Sequence, residues 1–139
     1  MSAATANVNA QTLRILAHDE HVEADGTRQI ALANDADPHT LKEQLAQIER
    51  IDLQFPAFTD GRAYSQAFLL RRRLGFAGEL RATGDVLIDQ LVQMQRTGFS
   101  SAVLKEGVDA ADAKRQFERF AAFYQGDAVH TAPHFATAD

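Results

Sequence analysis

Four β-α units in series, sharing one parallel sheet, are the fold class that this sequence predicts. Three observations carry the prediction. From Gln29 onward short β-like runs alternate with runs of apolar residues at helical spacing. Two of the predicted helices end in matching pieces, Arg73-Leu74-Gly75-Phe76 and Arg96-Thr97-Gly98-Phe99, each followed by a strand. The 139 residues, 45% hydrophobic and 24% charged, suit one domain with its own core. Consecutive β-α units imply parallel strands joined by right-handed crossovers.

The elements follow in order. Residues 1–11 are small and polar without an apolar period and are expected to be disordered, as is the tail 127–139. Residues 12–28 form an N-terminal arm or a hairpin: Leu13, Ile15 and Ala17 alternate with Arg14 and Leu16, and Asp25-Gly26 is a turn signal. The β-α repeats then occupy 29–126. Ile30 to Ala33 is the first strand, Asp37-Pro38 caps and opens a helix, and Leu41, Leu45 and Ile48 are its apolar stripe. Ile51, Leu53 and Phe55 mark the second strand, which Pro56 ends, and Ala63, Ala67, Leu70 and Leu74 the second helix. Glu79 to Ala82 with Leu87, Leu91 and Met94 is the third unit; Ala102 to Leu104 with Ala113, Phe117, Phe120 and Tyr124 is the fourth. Asp85 and Asp109 are expected as N-caps. Gly75 and Gly98 read as helix stops, since a left-handed residue there carries no Cβ clash.

Strands covered on both faces are usually continuous apolar runs, but here Asp52, Gln54, Glu79 and Arg81 alternate with the apolar set. One sheet face is therefore expected to be polar. The simplest architecture is half of a (β/α)-barrel, helices on one side, with the other face left for a partner subunit, the N-terminal arm or a site. A doubly wound flavodoxin-like layer is the alternative.

Net charge −5 argues against a general nucleic-acid or anionic-membrane surface. With no cysteine, disulfides, thiol catalysis and thiolate-held metals are excluded for this chain. No apolar run is long enough to cross a bilayer and the start lacks a secretion signal, so a cytoplasmic location is expected. There is no phosphate loop and no G-x-G-x-x-G after the first strand, so no cofactor is expected. Nor does Ser65 stand in a nucleophile elbow. His18 with His21, and His130 with His134, lack a third ligand at fixed spacing, and no metal is expected.

Ligands of parallel sheets gather at the carboxyl ends of the strands, where helix N-termini converge. That rim carries Asn34 and Asp35, then Thr59, Asp60, Arg62, Tyr64 and Ser65, then Arg81, Thr83 and Asp85, and finally Lys105. Arg62, Arg81 and Lys105 suit a small oxyanion or phosphate, with Tyr64 and Ser65 beside them; Asp60 or Asp85 is the candidate acid-base group. Plain folding roles compete with these. Asp60 and Asp85 suit helix capping, Tyr64 suits the core, and Arg81 needs a carboxylate such as Asp52 or Glu79, or else a ligand. Arg71 to Arg73 read as a solvated helix face, or as a docking surface for an acidic partner.

The pieces FPAFTDGRAYS, GELRATGDVLIDQL, MQRTGF and a late Tyr124-Gln125 resemble, from about Ile30 to Gln125, the bacterial domain-of-unknown-function family 934, whose pattern has the form FPxFTDGRGYSxARLLR, GELRAxGDVxxDQL, MxRxGF and YQ. Ala63 stands where that pattern has glycine, Phe68 where arginine is common and Thr97 where cysteine is common. The resemblance carries over Asp60, Gly61, Arg62, Tyr64, Ser65, Arg81, Gly84, Asp85, Asp89 and Gln90 as site positions. It implies an association with assimilatory sulfite reduction, because such genes commonly neighbour that of the sulfite or nitrite reductase haemoprotein. An accessory role is therefore expected, binding the reductase or its electron donor, with a homo-oligomer formed through the polar sheet face. The alternative is a small enzyme of the same pathway that takes an oxyanion or phosphorylated substrate.

Overall fold

In a computed structural model the backbone of residues 12–131 is described, with side chains to residue 122; the ends expected to be disordered lie outside this range, apart from 127–131. Those residues extend the last helix, which runs Ala110–Thr131 and so passes the Gly126 boundary read from the sequence.

Five strands, β1 (Arg14–Leu16), β2 (Gln29–Leu32), β3 (Arg50–Phe55), β4 (Glu79–Gly84) and β5 (Ser101–Val103), form one open, wholly parallel sheet in the order β1-β5-β4-β3-β2. From β2 to β5 the chain steps one place at a time in a single direction. A doubly wound layer would reverse direction part-way, so the singly wound, half-barrel arrangement is the one present. Among the described residues no hairpin precedes β2. Instead β1 lies parallel to β5 at one edge, and residues 17–28 form an arm that carries the chain to β2 at the other edge.

Alternation sorts the sheet into two faces. Ile51, Leu53, Phe55, Leu80, Ala82 and Ala102 are fully buried on one face and share a single core with residues of the helices α1 (Arg62–Phe68), α2 (Leu91–Thr97) and α3 (Ala110–Thr131). The opposite face carries Arg50, Asp52, Arg81 and Ser101, each no more than 6% exposed. What buries these polar groups is the arm: the Val22 carbonyl accepts from Arg50 Nη2 at 2.7 Å, and His21 Nδ1 lies 3.0 Å from Arg81 Nη1. Of the three coverings expected for the polar face, the N-terminal arm is the one in place.

The local signals mostly form what their chemistry dictates. Asp37 accepts from the His39 N-H at 2.9 Å, though the segment that it caps, Pro38–Gln47, is wound as a 3-10 helix. Asp109 caps α3 through the Ala111 N-H at 2.9 Å. Gly75 and Gly98 end their helices at φ 72° and 123°. Helix α1 continues as a π turn, Leu69–Arg73, in which Leu74 N donates to Leu69 O at 2.9 Å. That turn alters the fate of the basic run. Arg71 is not on a solvated face: it is half-buried and donates to the carbonyls of Gly98, Phe76 and Gly78 and to Ser100 Oγ, at 2.9, 2.9, 2.7 and 2.9 Å. Arg72 and Arg73 are exposed, Arg72 lying over the Phe68 ring at 5.3 Å.

Candidate functional site

Three loops meet at the carboxyl ends of β3, β4 and β5, and their polar side chains are largely spent on one another. The loop after β3 contains Phe58, a residue that is 49% exposed. Both of its backbone groups are held from elsewhere in the fold. Asp85 Oδ2, after β4, accepts from Phe58 N at 2.8 Å, and Gln90 Nε2 donates to Phe58 O at 3.0 Å. Asp85 Oδ1 in turn pairs with Lys105 Nζ, after β5, at 2.8 Å. Asp85 is thus a tie between three loops and not the cap expected of it; the next turn, Ile88–Gln90, has no side-chain cap.

Asp60 closes the same loop from the other side. Its carboxylate accepts from Asn34 Nδ2 at 2.7 Å, from the Arg62 N-H at 3.1 Å, and from Arg62 Nε and Nη2 at 3.1 and 2.8 Å. The Arg62 guanidinium, reinforced by the Arg62 N-H, holds the Asp60 carboxyl far below the usual carboxylate range, and Asp60 raises Arg62 in return. Lys105 and the Phe58 N-H likewise lower Asp85. Both carboxylates are consequently ionised and weakly basic, which suits bracing better than proton abstraction at neutral pH.

The remaining candidates are dispersed. Tyr64 meets Phe55 edge-on at 5.0 Å between ring centroids and Phe99 at 6.3 Å; burial pushes its phenol up to about 12. Its hydroxyl is buried with no hydrogen-bond partner among the described residues. Ser65 is exposed on α1. Arg81 is not at the rim but on the polar sheet face, where Nε and Nη2 donate to Glu79 Oε2 at 3.2 and 2.9 Å and Nε also reaches Ser101 Oγ at 3.1 Å. The carboxylate expected for Arg81 is thus Glu79, while Asp52 takes Arg50 through 2.7 and 3.0 Å bonds. Burial alone would raise Glu79, but the Ser101 hydroxyl and Arg81 outweigh it and set its carboxyl below the usual range.

A cavity of about 490 Å³ opens between the arm and the carboxyl ends of the strands. The arm contributes His18, His21 and Glu23, the sheet Asp52, Gln54 and Thr83, and the loop after β5 Lys105 and Glu106. Of the expected rim and site residues, the lining includes Thr83, Gly84 and Lys105. His21, 10% exposed at its side chain, is the residue that sequence reasoning set aside. Burial lowers its pKa below the usual 6.5, with Asp52 opposing and Arg81 assisting. The signal was its place in a polar cluster between a strand and a turn. Phe58 was missed too, although a phenylalanine inside a polar loop already stands out. Among the described residues no group of three or more His, Cys, Asp or Glu is placed to hold a metal ion. None of their helices is long and apolar enough to cross a membrane.

The family model described as "Bacterial protein of unknown function (DUF934)" matches residues 29–135. The chain belongs to this family. No curated protein and no solved structure matches it. The arm, residues 17–28, precedes the family match, whereas Phe58 and its braces Asp60, Asp85 and Gln90 lie within it. Two separate pieces of the family pattern, FTDGR and GDVxxDQ, are therefore joined in space through the backbone of one residue, Phe58.

Proposed function

We propose that the protein is an accessory protein of assimilatory sulfite reduction that works by docking onto the reductase or its electron donor. The observation that carries the reading is Phe58: a half-exposed aromatic ring on a loop whose N-H and carbonyl are both fixed by side chains from other elements. An aromatic side chain held ready in this way loses little freedom on binding, and aromatic anchors of that kind dominate the energetics of protein interfaces. The sulfite-reduction context comes from the family resemblance.

The enzymatic reading asks Asp60, Arg62 and Arg81 to face one volume. Arg62 is turned onto Asp60 at the rim and Arg81 is enclosed by Glu79, Ser101 and His21, an arrangement that favours docking over oxyanion chemistry. The test measures binding of the purified protein to the sulfite reductase haemoprotein and to its electron donor by calorimetry, with Phe58→Ala beside the native chain. A complex with one of them is expected, weakened roughly thirtyfold by Phe58→Ala, the scale of a strong interface residue. If neither forms a complex, or Phe58→Ala binds as tightly as the native chain, the reading fails. Titration with sulfite, sulfate and phosphate tests the rival: saturable binding lost in Arg62→Ala would favour it.

A further inference from the structure

Two adjacent guanidiniums stay unpaired when the charges of this fold are matched. Arg14, Arg28, Arg50, Arg62 and Arg81 each meet a carboxylate at 2.7 to 3.1 Å, and Arg71 is spent on carbonyls. Arg72 and Arg73, which follow Arg71 in the π turn, are exposed and have no ion pair among the described residues. In a chain with 19 Asp and Glu against 14 Lys and Arg, carboxylates to neutralise them are plentiful, yet none is placed there. The π turn makes the division, sending Arg71 inward and its two successors outward, and such turns occur often at functional sites.

Arg72 is also held in place. Its Cζ lies 5.3 Å from the centroid of the Phe68 ring, and Phe68 is 45% exposed. A guanidinium stacked on an aromatic face loses part of its freedom in advance and keeps its N-H fork available to a carboxylate. The pair lines a groove of about 570 Å³ between α1 with its π turn and α2, with Val92, 6% exposed, as its apolar base. Arg96 adds a second guanidinium to the lining and Asp89 its one carboxylate. Gln90, the residue after Asp89, donates to the Phe58 carbonyl at 3.0 Å. Phe58 and Phe68, the exposed aromatic residues among those described, are thus linked through adjacent residues of one turn.

We infer that this groove receives an acidic segment of the docked protein, its carboxylates on Arg72 and Arg73 and an apolar side chain against Phe68 and Val92. The inference rests on the docking role proposed for Phe58 and gives the partner a chemistry. A protein segment suits the groove better than nucleic acid does: Asp89 faces the same volume, and the net charge of −5 opposes a polyanion.

The experiment titrates the full chain, labelled with nitrogen-15, with the peptide acetyl-EELDEE-amide, with the basic control acetyl-KKLKKK-amide and with a thymidine hexanucleotide. Saturable shifts at the Phe68, Gln93 and Thr97 amides are expected with the acidic peptide and none with the basic one. Raising salt from about 0.05 to about 0.2 M should weaken them, since exposed charges are screened. Arg72→Gln with Arg73→Gln, both at exposed positions, should lower the affinity roughly tenfold. A flat titration with the acidic peptide, an equal response to the basic one, unchanged affinity in the double variant, or tighter binding of the hexanucleotide would overturn the inference. A second arm puts the double variant beside Phe58→Ala in binding to the reductase haemoprotein and its electron donor. A complex weakened by Phe58→Ala and untouched by the double variant overturns the groove's role and leaves docking standing; peptide binding at the groove with no complex removes the sulfite-reduction partners and leaves a site for acidic segments.

Discussion

Arg71 is where one side chain fixes the most backbone. Its guanidinium bridges the helix-ending loop at Gly98, the approach to β4 at Phe76 and Gly78, and Ser100 before β5, and its Cζ also lies 5.7 Å from the Phe76 ring centroid. Replacing it by methionine keeps the stem and leaves three half-buried carbonyls short of a donor, so a loss of about 3 kcal/mol is expected in urea unfolding. Lysine, a point charge without a fork, should recover less than half of that. A loss below about 0.5 kcal/mol would show water replacing the guanidinium at no cost. At His21 the prediction concerns pH. Because burial depresses its folded-state pKa below 6.5, the unfolded chain takes up the proton first on acidification. The stability that it contributes is therefore complete above 6.5 and lost as pH falls through the lower folded value. Urea midpoints from about pH 7 to pH 5 should fall more steeply for the native chain than for His21→Gln; parallel slopes would remove His21 from the balance.

Strand β4 is bound to β3 along its whole length, down to the Phe55–Gly84 pair, and that pairing rests on a missing side chain. Gly84 has φ 96°, and a Cβ placed there would collide with the Phe55 carbonyl oxygen, while Gly75 at φ 72° has open space around it. Alanine at Gly75 thus meets only the left-handed penalty, about 1 kcal/mol. At Gly84 the same penalty combines with a backbone clash, for about 3 kcal/mol or more and a shifted Phe58 loop. Thermal unfolding of the two variants should rank them in that order; equal effects would mean that the β3–β4 end relaxes freely. Sequence and structure part company most at this scale. Asp37, Asp109, Gly75 and Gly98 act within a turn of their own position, so their roles were legible. Arg71 was not, because a π turn rotates the face of a helix without altering its composition. Asp85 looked like a cap because capping is local, while its partners Phe58 and Lys105 are brought to it only by the sheet.

For the molecule as a whole, the serial β-α units and the polar sheet face were readable from alternation, and the singly wound order follows from them with little freedom. The place of β1 was not. A three-residue edge strand takes its partner from the far end of the domain, and no local pattern names β5 over any other strand. The Arg50–Asp52 and Glu79–Arg81 pairs were half legible, since buried charges demand partners; that the arm supplies the lid depends on a carbonyl, Val22, which any residue would offer. A chain starting at Gln29 retains the whole of the family match but loses the lid and leaves β5 as an exposed edge. It should unfold at lower urea and self-associate in light scattering; a monomer as stable as the full chain would show that the arm contributes nothing to the fold.

The same arrangement sets an order of events during synthesis. Arg14 pairs with Ser101, so the residues that leave the ribosome early cannot take their place until the last strand has followed them. Everything between can assemble by neighbour-to-neighbour steps. The arm then closes over a sheet already built, so a segment made before that sheet is placed after it.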